Sequence, residues 1–112
     1  MYTPIAQTPE PPYYVVVFTI VHAENLDGYE QMGEKMVQLA SEQPGFLGLE
    51  YGIGDVELTI SYWESSEAIR QWYAHAEHTI ARDMGREKWF QAFKVRVARV
   101  ERDYEFNRSV SE

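Results

Sequence analysis

The sequence predicts an α+β fold of the order β-α-β-β-α-β, the split βαβ or ferredoxin-like arrangement, on three observations. Tyr13 to Val21 is β-branched or aromatic on both alternating faces, as in a strand covered from two sides. Two segments, one after Asn25 and one after Ser65, repeat apolar residues at three- and four-residue spacing, the period of an amphipathic helix. Between them, two runs of strand character meet at Gly54-Asp55, as in a hairpin. The 112 residues suit a single domain. It divides into an extended arm at 1–12, the domain at 13–104 and a polar tail at 105–112.

Each element has its own reason. The arm carries Pro4, Pro9, Pro11 and Pro12 and no apolar run, so it suits neither a signal peptide nor a membrane span. The first strand needs cover on both faces, and helices of so short a chain cover one; a homodimer is therefore expected. Asn25 or Asp27 is positioned to cap the first helix, whose stripe is Tyr29, Met32, Met36 and Leu39. Pro44-Gly45 stops it, since proline lacks an amide hydrogen and glycine allows the reversal. The second strand is Phe46 to Ile53 and the third Val56 to Trp63. On the third, Val56, Leu58, Ile60 and Tyr62 make one apolar face, and Glu57, Thr59, Ser61 and Trp63 a mixed one. Ser65 or Ser66 caps the second helix, with Glu67 near its positive end and Ile69, Trp72, Tyr73, Ala76 and Ile80 as its stripe, and Gly85 ends or kinks it. The last strand is expected from about Ala92 to Tyr104, with Lys94, Arg96, Arg99 and Arg102 pairing with Glu101 and Asp103.

Composition excludes several functions. With 10 Lys+Arg against 18 Asp+Glu the net charge is −8, wrong for nucleic acid and for anionic membrane surfaces. There is no cysteine, hence no disulfide, thiolate nucleophile, thiolate haem ligand or iron-sulfur cluster, which suits a cytoplasmic protein. Gly48, Gly52 and Gly54 lie on a hairpin, so no nucleotide loop is implied.

The chemistry-bearing residues concentrate in Ser61 to His78, where a strand ends in Trp63, a helix begins, and Trp72, His75 and His78 follow. At about 100° per residue His75 sits beside Trp72 at the edge of the apolar stripe and His78 projects roughly opposite. Large aromatics dominate the burial of small cores, so Trp63 and Trp72 have a packing role to weigh against any redox one. His75-Ala76-Glu77-His78 lacks a third ligand and matches no zinc spacing, so no metal site is expected.

Pro44-Gly45-Phe46-Leu47-Gly48, Ser61-Tyr62-Trp63-Glu64-Ser65 and Ala68 to His78, in this order and spacing, resemble the antibiotic biosynthesis monooxygenase superfamily over roughly Tyr13 to Tyr104. The resemblance implies a dimeric α+β barrel binding a small molecule. It also implies cofactor-independent oxygenation of a small aromatic or polyketide-like substrate, with Trp72 and His75 catalytic and His22, Tyr62, Trp63 and His78 around the substrate. One alternative is a dimer that binds a small ligand without turnover. The other is haem degradation, as in related members that use an asparagine on strand one, a tryptophan on helix two and a histidine about three turns later. Trp72 matches that tryptophan, but strand one has no asparagine and the histidine position falls near Arg82. Haem is therefore disfavoured and no cofactor is expected.

Overall fold

Six elements follow in the predicted order: β1 (Tyr13–His22), α1 (Tyr29–Ser41), β2 (Phe46–Ile53), β3 (Glu57–Trp63), α2 (Ser66–Arg82) and β4 (Phe90–Val100). The structure, a computed structural model, describes residues 5–82 and 88–108, with side chains for all of these but 78–82. The four strands form one antiparallel sheet in the order β2-β3-β1-β4. No helix among the described residues is long and apolar enough to cross a membrane.

The register assigns the two faces. Val16, Phe18 and Ile20 of β1 oppose Ser61, Thr59 and Glu57 of β3, and on the other side Val97, Val95 and Phe93 of β4. Because side chains alternate along a strand, all of these share one face with Leu49, Tyr51 and Ile53 of β2. The helices cover this face: Val16, Trp63, Ala40 of α1, and Ala68 and Ile69 of α2 form the core. The mixed face of β3 thus looks toward the helices, and its apolar face looks away. The turned-away face carries Val15, Val17, Thr19, Leu58, Ile60 and Tyr62 together with Lys94 and Arg96.

Local chemistry explains the connections. Gly45 adopts φ +87°, and a Cβ there would sit 2.7 Å from that of Ala68, so only glycine allows α2 to pack this close. Its carbonyl accepts the Glu64 amide at 2.8 Å, joining the start of β2 to the end of β3. Ser65 caps α2 as expected, its Oγ accepting the Ala68 amide at 3.1 Å. The first helix departs from expectation: its N-cap is Gly28 at φ +83°, with no side-chain cap. Asn25 instead accepts the Asp27 amide at 2.9 Å, and the Asp27 carbonyl accepts the Trp89 indole N–H at 2.8 Å. The turn is therefore shaped by a distant tryptophan, not by a local cap.

The last strand is also shifted. It begins at Phe90, where an irregularity between Val21 and His22 lets it pair further along β1, and it ends at Val100, opposite the first residue of β1. Beyond that point β1 offers it no partner. Asp103 accepts a hydrogen bond from the Tyr13 hydroxyl, and Arg99 pairs with Glu101 at 3.1 Å at the strand's own end, so the cross-strand pairing expected of these residues is not what forms. Ala6 of the arm lies against this chain's own sheet, its amide donating to Glu50 Oε2 at 3.0 Å. The expected stop at Gly85 lies outside the described residues.

Candidate functional site

Between the helices and the sheet lies a cavity of about 940 Å³, near the upper end of the roughly 300–1,000 Å³ usual for small-molecule sites. Its wall is mostly apolar and aromatic. Phe18 and Ile20 form the floor, Met32 and Met36 of α1 one side, Trp72 and Ala76 of α2 the other, and Phe90 and Phe93 of β4 an end. Leu26, Val37, Tyr51, Ile53 and Phe93 line it while remaining exposed, which marks its rim.

One polar cluster interrupts this wall. His22, at the end of β1, directs Nε2 at Glu57 Oε1, and the Tyr29 hydroxyl donates to the same oxygen at 2.8 Å. Glu57 is only 6 % exposed, so its carboxylate depends on these partners for the hydrogen bonds that water would otherwise supply. Aromatic edges fix the group: Tyr29 meets His22 at 5.0 Å and Trp89 at 5.7 Å between ring centroids. Burial, and then the hydrogen bond to Glu57, push the Tyr29 hydroxyl well above its ordinary pKa, so it stays protonated and keeps donating. A second hydroxyl, on Tyr73, is buried without a hydrogen-bond partner among the described residues, and burial followed by the Glu77 charge raises it to about 12.

The residues singled out from sequence separate into groups. Trp72 and His22 line the cavity. Trp63 is fully buried beneath it, stacked on Trp72 with centroids 6.1 Å apart and donating from its indole to Ser61 Oγ at 2.9 Å. His75 is exposed, 6.1 Å from the Trp72 ring centre, and not part of the cavity wall. Tyr62 is on the opposite sheet face, donating to Glu50 Oε1 at 2.7 Å. The side chain of His78 lies outside the described residues.

Sequence reasoning passed over Glu57, Tyr29 and Trp89. The available signal was the carboxylate of Val56-Glu57-Leu58, between apolar neighbours on a strand whose mixed face must be the inward one if the opposite face is for a partner. Among the described residues, no group of three or more His, Cys, Asp or Glu could hold a metal ion.

The family model for antibiotic biosynthesis monooxygenases matches residues 12–83. An uncharacterised protein of Bacillus subtilis, YqjZ, is 43% identical over 111 residues, covering 96% of each chain. Solved structures share the fold at low identity. PA3566 from Pseudomonas aeruginosa superposes with a TM-score of 0.63 at 17% identity, covering 86% of this chain and 99% of its own. SnoaB, a cofactor-independent oxygenase from Streptomyces nogalater, gives 0.64 at 12%, covering 91% and 100%. A point mutant of MhuD, crystallised with two manganese protoporphyrin IX molecules per active site, gives 0.60 at 19%, covering 83% and 99%.

Proposed function

This chain belongs to the antibiotic biosynthesis monooxygenase family, and from that premise we propose that it is a cofactor-independent oxygenase of a flat, phenolic or enolic substrate. The observation that carries this reading is the cavity, large enough for a fused aromatic and lined mostly by apolar and aromatic side chains, with the buried His22–Glu57–Tyr29 cluster set among them. Trp72, stacked on the fully buried Trp63, offers a flat wall for an aromatic ring. His75, against Trp72 outside the cavity, positions that ring.

The chemistry asks little of the protein beyond shape, water exclusion and a base. Loss of the hydroxyl proton gives a substrate anion, which transfers an electron to dioxygen; radical recombination forms a carbon–oxygen bond. For a methylene carbon such as that of anthrone, the hydroperoxide then loses water. The carbon becomes a carbonyl, both its hydrogens leave with one oxygen atom, and no outside reductant is consumed.

Haem does not fit the described residues. The cavity's one described imidazole directs Nε2 at Glu57, and its charged wall residues, Glu30, Glu34, Glu57 and Glu77, are all acidic, which opposes two propionates. The homodimer belongs to the same reading, supported by the apolar side chains on the sheet face turned from the helices.

Oxygen uptake by chelator-treated protein with anthrone tests the proposal, and the expected result is protein-dependent consumption above autoxidation. Thermal stabilisation by anthrone without consumption would instead identify a binding protein. A saturable haemin complex that bleaches with reductant in air would overturn the cofactor-free reading.

A further inference from the structure

The cavity poses an electrostatic problem. Oxygenation needs the substrate as an anion, yet the charged residues on the described wall are Glu30, Glu34, Glu57 and Glu77, with no lysine or arginine among them. Like charges in a partly desolvated space oppose an entering anion. The described wall has one side chain that can accept a proton and become a cation, and that is His22.

Resting on the oxygenase reading above, we propose that His22 is the catalytic base, held by Glu57 and Tyr29, and that the cavity admits its substrate only as the neutral hydroxyl compound. A carboxylate accepts hydrogen bonds and cannot donate them, so the hydrogen between His22 and Glu57 sits on Nε2 and the lone pair on Nδ1. The substrate O–H bond breaks and its proton goes to Nδ1. The imidazolium then stands between two negative partners, Glu57 and the new substrate anion. Glu57 stabilises the protonated ring, and Tyr29, donating to the same carboxylate oxygen at 2.8 Å, fixes that oxygen's position. Tyr51, which lines the cavity and feels the Glu57 charge, is the other titratable group facing the cluster from β2; β4 contributes only the uncharged Phe90. The sequence separates His22 from Glu57 by 35 residues and Tyr29 from Glu57 by 28, and only the fold assembles them.

Three probes of similar size separate the parts of this proposal. p-Nitrophenol reports its own ionisation by absorbance, p-nitroanisole has no proton to give, and p-nitrobenzoate enters as an anion. With the wild-type protein in excess, p-nitrophenol is expected to ionise about one pH unit lower than free in solution. p-Nitrobenzoate is expected to bind only together with a proton on His22, so its affinity falls about tenfold per pH unit in alkaline solution while that of p-nitroanisole stays level. His22→Gln should abolish the ionisation shift in protein that still binds p-nitroanisole, and Glu57→Gln should shrink the shift. Ionisation of bound p-nitrophenol as in free solution, a shift that survives His22→Gln, or a p-nitrobenzoate affinity that does not change with pH would overturn the assignment. Binding of none of the three would overturn the cavity reading with it. An intact shift without oxygen consumption from anthrone would remove the oxygenase reading and leave His22 as a proton acceptor in a binding site.

Discussion

Tyr73 shows how a single side chain on the cavity wall bears on stability. Its buried hydroxyl has no hydrogen-bond partner among the described residues, and an unsatisfied buried group costs about 1–3 kcal/mol. Tyr73→Phe is therefore expected to stabilise the free protein by about 1 kcal/mol in urea denaturation; unchanged or reduced stability would mean that the hydroxyl is satisfied. The tyrosines also set an alkaline limit. Burial first, then the carboxylates of Glu57 and Glu50, raise Tyr29 and Tyr62, and burial raises Tyr73 from 10.0 to about 12. The folded state disfavours each phenolate relative to the neutral phenol, so no stability is lost below pH 10.0 and stability falls as the pH rises above it, for Tyr73 until about 12. A spectroscopic pH titration should show these tyrosines ionising late, together with unfolding. Trp72 and His22 were legible in the sequence because one sits in a helical stripe and the other closes a strand. Glu57 and Tyr29 were not, because their meaning depends on register across the sheet and on where α1 lands.

At the scale of elements, the hairpin and the second helix were legible because their determinants are local. The β2–β3 turn and the Ser65 cap depend on neighbours a few residues away. Replacing Ser65 with alanine removes the acceptor for the Ala68 amide and should cost about 1 kcal/mol. Gly45→Ala should cost more, about 2 kcal/mol, since it adds a positive-φ penalty to a 2.7 Å approach to Ala68. Paired chemical denaturation curves would check both, and a neutral Gly45→Ala would mean that α2 can move. The start of α1 and the bounds of β4 were misread for the opposite reason. Gly28 caps α1 in a turn held by Trp89, 62 residues beyond Asp27, and β4 takes its limits from β1. The same tryptophan that shapes this turn packs on Tyr29, so it links the helix start to the cavity.

At the scale of the whole molecule, the sheet divides labour. One face meets the helices and encloses the cavity; the other presents Val15, Val17, Leu58 and Ile60. The expectation of a partner rests on this second face, and a charge placed in its middle tests it. Light scattering should give twice 13.1 kDa for the wild type and 13.1 kDa for Val17→Lys, whose new cation would lie near Arg96, its register partner on β4. A wild-type monomer would remove the dimer from the account. Whether the protein oxygenates is decided by isotopic labelling. Chelator-treated protein is loaded with anthrone without air and then exposed to isotopically heavy dioxygen, and the quinone is analysed by mass spectrometry. One heavy oxygen atom is expected in the new carbonyl, at a rate set by the protein. Product formed at the protein-free rate, or a heavy atom absent from a carbonyl that does not exchange with water, would contradict it.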